Sequence, residues 1–138
     1  PIFFSSISYG DIIPLGKESK PFEEVVLVTG IAKPQPLENH LKKEVKISQH
    51  FNFKDHHRFT SADVDKIHEI FGNLAGSNKA IITTEKDAMR LKDVMNADDF
   101  DAFNWHYQEM KILMDKPDEF DRLIKDYVRE TRRDNELH

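Results

Sequence analysis

A chain of 138 residues without cysteine has room for one hydrophobic core, and it offers neither a disulfide framework nor a thiolate metal site, which makes an intracellular protein the expectation. Hydrophobic residues make up 38% and charged residues 33%, and no apolar run approaches the roughly 20 residues that cross a bilayer. A formal net charge of -5 gives no global attraction to nucleic acid, so no nucleic-acid partner is expected.

The first nine residues, from Pro1 to Tyr9, have the pattern of a strand that starts without methionine or leader, as in a piece of a longer protein. Gly10-Asp11-Ile12-Ile13-Pro14-Leu15-Gly16-Lys17 superficially resembles a phosphate-binding loop. It has one residue too many between its glycines, and Glu18 stands where a hydroxyl would hold magnesium, so a hairpin or loop is expected. Residues 24–31 form a nearly continuous β-branched run, the pattern of a strand covered on both faces. A short helix follows over about 36–43, opened by Pro36, and residues 45–51 alternate as a half-buried strand.

That strand runs into Phe53-Lys54-Asp55-His56-His57-Arg58-Phe59-Thr60, where a carboxylate, two imidazoles and a guanidinium crowd into one strand-to-helix turn. Burying such a cluster unpaired costs several kcal/mol, which leaves a solvated loop or a site. Thr60 or Ser61 then caps a helix with Val64, Ile67, Phe71 and Leu74 on one face, closed by Gly76. Residues 79–84 predict another short buried strand, 87–95 a helix and 105–113 a strand interrupted by Met and Gln. Pro117 starts a last helix carrying Phe120, Leu123, Ile124, Tyr127 and Val128, with Arg129, Arg132 and Arg133 at its C-terminal end.

Strands separated by helices of this length make βαβ crossovers. The expected fold is therefore a single α/β domain, a mostly parallel sheet with helices on both faces in three layers. Ligands bind such sheets beyond the carboxyl ends of the strands, and three polar clusters fall there: Thr29-Gly30, Asp55-His56-His57 and Thr84-Glu85-Lys86-Asp87. Each has a structural alternative. Gly30 turns a chain as readily as it cradles a phosphate, and Thr84 with two acids after it is an ordinary helix cap, though Lys86 beside carboxylates also suits phosphate.

In the middle cluster Asp55 would orient an imidazole and fix its tautomer for proton transfer, with one histidine as the worker. His50, Asp55 and His56 or His57 around zinc, in a metal-dependent hydrolase-like site, form a second reading, although the spacing matches no compact metal motif. A non-catalytic nucleotide- or partner-binding module is a third. His40, His50, His68, His106 and His138 are expected to be solvated.

Taken together, Val28-Thr29-Gly30-Ile31-Ala32-Lys33-Pro34, the stretch from Phe53 to Thr60, and Thr83-Thr84-Glu85-Lys86-Asp87-Ala88 resemble, in order and spacing, the C-terminal part of the tetraacyldisaccharide 4'-kinase (lipid A 4'-kinase) family. The segment from Phe3 to Gly10 resembles the one just before that family's second domain. The resemblance implies a C-terminal α/β domain over 1–138 of a two-domain phosphotransferase, with the phosphate-binding N-terminal domain outside this chain. It implies ATP and Mg2+ held mainly by that other domain, and transfer of the γ-phosphate to the 4'-hydroxyl of a lipid A disaccharide precursor. It also implies a cytoplasmic enzyme at the inner-membrane surface. His56 becomes the leading catalytic candidate, Asp55 its orienter, and Thr29, Gly30, His57, Thr84, Glu85, Lys86 and Asp87 nucleotide- or substrate-proximal, with no metal held by this part. The chain alone is expected to be inactive.

Overall fold

A continuous apolar run needs cover on two sides, and the chain supplies it by crossing its sheet in both directions. The computed structural model describes residues 5–114, and contacts divide the chain into one unit of Gly10–Glu109 and another of Pro1–Tyr9 with Met110–His138. Among the described residues, strands β1 (Ser5–Pro14), β2 (Glu24–Thr29), β3 (Lys46–Asn52), β4 (Lys79–Thr84) and β5 (Trp105–Met114) form a sheet in the order β1-β5-β4-β2-β3. Helices α1 (Gln35–Lys42), α2 (Ser61–Asn73), α3 (Glu85–Leu91) and α4 (Ala97–Ala102) connect them. β2 pairs in parallel with β3 and with β4, and β4 with β5. β1 runs the other way along β5: the Leu15 N–H donates to the Trp105 carbonyl at 2.9 Å, while Gly10 sits beside Glu109.

Right-handed crossovers fix which face each helix covers. The chain leaves β2 for β3 through α1, then returns past β2 to β4 through α2, so α1 and α2 lie on opposite faces. The step onward from β4 to β5 keeps α3 and α4 on the α2 side. Burial agrees. Val26, Val28, Ile81 and Trp105 cluster with Val64, Ile67, Phe71, Leu91 and Phe100 from those three helices. Val25 and Leu27 have the opposite parity along β2 and are equally buried, as are Leu37 and Leu41 of α1. Fully burying one such side chain contributes ~1.5–3 kcal/mol, so four consecutive buried residues in β2 anchor both layers.

The expected three-layer α/β arrangement stands, with differences in detail. Gly10 to Pro14 is part of strand β1, not a hairpin or loop; Ile12 and Ile13 favour the extended chain, and β1 is an edge strand, where a terminal proline costs no ladder bond. Helix α2 ends at Asn73, before Gly76 is reached, because Lys79 Nζ reaches back to the carbonyls of Phe71 (2.9 Å) and Leu74 (2.8 Å) and satisfies the helix end. The helix placed over 87–95 starts two residues earlier at Glu85, because Thr84 is its cap. It stops at Leu91, and a separate helix α4, capped by Asn96, carries Phe100 into the core. The helix expected after Pro117 lies outside the described residues, as does His138.

Candidate active site at the carboxyl ends of β2 and β4

Because consecutive crossovers leave β2 in opposite directions, the ends of β2 and β4 form the point where an open parallel sheet leaves a crevice. Gly30 follows β2 there. Its N–H donates to Asp87 Oδ2 at 2.9 Å, and its carbonyl accepts both the His56 N–H at 3.1 Å and Arg90 Nη1 at 3.1 Å. A Cβ on Gly30 would stand 3.0 Å from Asp87 Oδ1, so the glycine is set by this close approach.

Asp87 is fully buried, although the sequence presents it as an ordinary acid in the first turn of a helix. Its carboxylate accepts from the Gly30 N–H, from Thr84 Oγ1 at 2.7 Å and from Arg90 Nη1 at 3.2 Å. Thr84 Oγ1 in turn accepts the Asp87 N–H at 3.1 Å, capping α3. With Arg90 on it, the buried charge is paired and bonded on both oxygens, the condition under which a buried carboxylate is tolerated. Glu85 and Lys86, from the same cluster, are exposed beside it.

His56 is held in a left-handed conformation with φ of 61°, uncommon for a residue with a side chain. Such a conformation costs on the order of 1–3 kcal/mol and persists where the surroundings enforce it. Here the main-chain bond to Gly30 does so. Arg90 Nη2 lies 3.1 Å from His56 Nδ1, while Asp55 Oδ2 approaches Nε2 only to 3.5 Å, an ion-pair distance longer than a well-formed hydrogen bond. The His56 side chain is 77% exposed.

The neighbouring imidazole has a different occupation. His57 Nε2 lies 2.8 Å from Asp63 Oδ2, and its ring stacks on Phe53 at 4.4 Å and meets the edge of Phe59 at 5.1 Å. Asp63 also accepts the Thr60 N–H at 3.0 Å, while Thr60 Oγ1 accepts the Asp63 N–H at 3.2 Å, a reciprocal cap on α2. Burial opposes the charge on Asp63, yet the hydrogen bonds from His57 and Thr60 hold its carboxyl below the ordinary value. His57 thus secures the turn that presents His56.

Thr29 is fully buried, and its Oγ1 lies 2.8 Å from His50 Nε2, whose Nδ1 is 3.4 Å from Glu38 Oε2. Acid, imidazole and hydroxyl are aligned, but no reactant can reach a hydroxyl with no exposed surface, so the trio fastens the end of β2 to β3 and α1. His50, His56 and His57 therefore point to three different partners, Thr29 with Glu38, Arg90 with Asp55, and Asp63. Among the described residues no group of three His, Asp or Glu converges as a metal site.

Three histidines expected to be solvated are tied into the protein. Besides His50, His106 is 1% exposed, with Nδ1 donating to the Asn104 carbonyl at 3.0 Å, Nε2 3.1 Å from Ser19 Oγ, and its ring tilted against Phe22. His68 accepts the Trp105 indole N–H at 2.9 Å and lies flat on Phe103 at 3.6 Å. Burial pushes both rings below the ordinary histidine value.

A cleft of about 430 Å³ opens beside the cluster, lined by His56, His57, Arg58, Phe59, Arg90 and Val94 among others. A wider groove of about 1000 Å³ lies at the opposite, amino ends of the strands between Glu24, Lys46, Ser48 and the turn from Asn73 to Asn78. It holds neither histidine nor arginine, whereas the smaller cleft adjoins the histidine cluster. Arg90 is the residue of this cluster that sequence reasoning missed; its only signal is a basic residue three positions after Asp87 on one helix.

Residues 11–129 match the family model described as tetraacyldisaccharide-1-P 4'-kinase. A tetraacyldisaccharide 4'-kinase of Bacteroides thetaiotaomicron is 34% identical over 97% of this chain and 40% of its own length. The enzyme of that name from Flavobacterium johnsoniae is 43% identical over 67% of this chain and 26% of its own. A crystal structure of LpxK from Aquifex aeolicus in complex with ATP superposes with a TM-score of 0.48 at 18% identity, covering 91% of this chain and 36% of that one. This chain spans two fifths or less of the length of these relatives. With a family model matched over most of its length, the chain belongs to the tetraacyldisaccharide-1-P 4'-kinase family.

Proposed function

We propose that this chain is the C-terminal α/β part of an ATP-dependent kinase that transfers the γ-phosphate to the 4'-hydroxyl of a tetraacyldisaccharide 1-phosphate, the lipid A precursor. Family membership supports the kinase class. The observation that carries the site is His56, strained and exposed at the mouth of the crevice, with its backbone on Gly30 and its ring on Arg90. His56 is the residue we place at the reacting phosphate. Asp55 stands beside Nε2, and Thr29, Gly30, His57, Thr84 and Asp87 build the ledge, with Glu85 and Lys86 exposed towards a nucleotide.

The residues here do not fit Mg2+. Asp87 already spends both oxygens on Gly30, Thr84 and Arg90, and Asp55, 3.5 Å from His56 Nε2, joins no group of three His, Asp or Glu among the described residues that could hold an ion. No glycine-rich phosphate cradle occurs either. In this reading the magnesium nucleotide is held by a phosphate-binding domain outside the chain, and the chain alone has no kinase activity. Phosphoryl transfer depends on positioning and electrostatic stabilisation, which two closing domains can share. The same reading places the enzyme in the cytoplasm at the inner-membrane surface, where its lipid acceptor would reside; no helix among the described residues is long and apolar enough to cross a membrane.

The test is His56→Ala in the full-length enzyme that contains this chain. The expected result is a kcat lower by about 10²- to 10³-fold, the range for losing one hydrogen-bond donor aimed at charge that develops in the transition state, with a smaller change in KM for ATP. Turnover near wild type in the folded variant would reduce this edge of the sheet to a docking surface.

A further inference from the structure

We infer that Arg90 is a positioning residue that fixes the tautomer of His56, so that the neutral ring carries its proton on Nε2 and presents an N–H donor to the crevice. The inference starts from an asymmetry of donors. A guanidinium has five N–H donors and no acceptor, so a contact of 3.1 Å between Arg90 Nη2 and His56 Nδ1 is a hydrogen bond only if Nδ1 accepts. In the neutral imidazole the single proton then lies on Nε2.

The guanidinium is not free to adapt. Nη1 is committed to the Gly30 carbonyl at 3.1 Å and to Asp87 Oδ1 at 3.2 Å, and Asp87 is locked by Gly30 and Thr84. The ring is equally constrained, since the His56 N–H is bound to the same Gly30 carbonyl and the backbone sits at a φ of 61°. Both partners of the contact are thus anchored on one peptide unit. A planar fork held at one end by a buried acid keeps its direction at the other, which a flexible ammonium would not do.

The chemical consequence deepens the kinase reading, on which this step rests. With Nδ1 occupied, His56 can gain a proton only by giving up Arg90. Its resting role is therefore to donate from Nε2–H to an anionic oxygen in the crevice, a phosphate oxygen or a carboxylate, rather than to serve as the base for the acceptor hydroxyl. Asp55, 3.5 Å from Nε2, occupies that position loosely and is the group an incoming anion would displace.

Nitrogen-proton correlation spectra of the imidazoles in this 138-residue chain, recorded at alkaline pH, test this directly. The His56 signals are those that vanish in His56→Gln. The expected spectrum shows His56 protonated on Nε2 alone; protonation on Nδ1 in the unsubstituted chain overturns the inference whatever the variants do. Arg90→Met should release the ring to a mixture of both tautomers, and Arg90→Lys should restore the Nε2 form only in part. An unchanged His56 spectrum in a folded Arg90→Met chain also overturns it. If the methionine variant does not fold, the unsubstituted chain and the lysine variant decide. The measurement needs no nucleotide, so a full-length protein without kinase activity would sink the functional reading and leave the tautomer assignment standing.

Discussion

Replacing Asp87 with alanine removes the one acid that ties three separate stretches of chain together. The carboxylate has no exposed surface and accepts from the Gly30 N–H, the Thr84 hydroxyl and Arg90. After the substitution the Gly30 N–H is buried without a partner, at ~1–3 kcal/mol. Thr84 loses an acceptor for its hydroxyl proton but still caps the helix through its oxygen, which adds less. Breaking a buried pair by removing one partner costs about 3–5 kcal/mol when the other is sealed in. The Arg90 side chain is 28% exposed and can turn to water, so its share is smaller. The sum is about 3 kcal/mol, and at roughly 3–5 °C per kcal/mol for a domain of this size the melting midpoint falls by about 10 °C. Urea unfolding read by the single tryptophan, the fully buried Trp105, measures it. Asp87→Asn should recover little, because an amide donates from one side where the carboxylate accepts on both. Asp55→Ala, at a 44% exposed side chain, should stay within about 0.5 kcal/mol. A loss below about 1 kcal/mol in Asp87→Ala with an unchanged denaturant slope would refute the argument that this knot holds the edge of the sheet together.

Two further outcomes follow from the same geometry. Burial holds His68 and His106 below the ordinary histidine value, with Asp99 and Asp65 opposing the shift at His68 and the Asn104 carbonyl opposing it at His106. The unfolded chain therefore takes up these protons first as pH falls through about 6.5, so stability is full above that pH and declines below it towards the folded values. Urea midpoints that stay flat between about pH 7.5 and 5.5 would contradict this, and His68→Gln, which keeps an acceptor for the Trp105 indole, should lessen the slope. Gly30→Ala places a methyl group 3.0 Å from Asp87 Oδ1 and 3.5 Å from the Lys54 carbonyl, and should cost ~1–3 kcal/mol by crowding, measurable by the same unfolding.

The strands that the sequence disclosed best are those whose neighbours need not be known. β2 and β4 are apolar on both faces, so their burial follows from composition alone. Helix α4 escaped notice because Asp98, Asp99 and Asp101 leave only Phe100 as a buried residue in a run of six, too short for a period to appear. The histidines were misjudged for a related reason. His68, half-buried, is bonded by Trp105, 37 positions away, and His106 is touched by Ser19, 87 positions away, and neither distance leaves a mark on local pattern.

The site shows the same limit more sharply. Asp55, His56 and His57 stood out because unlike polar groups were adjacent in sequence, yet the residue with the shortest contact to the His56 ring is Arg90, 34 positions later. Nothing local marks Arg90: a base three residues after an acid on a helix is an ordinary surface pair. What changes its meaning is the strand order. Had β4 paired beyond β3, in sequence order, Asp87 and Gly30 would lie two strands apart and the acid would be an exposed helix-turn carboxylate. Because α1 leaves β2 on one side and α2 must return past it, β4 pairs with β2, and 57 positions of separation close to a 2.9 Å hydrogen bond. That bond buries Asp87, the buried acid directs Arg90, and Arg90 lies against His56, so the surroundings of the visible histidine are set by a crossover that no stretch of sequence displays.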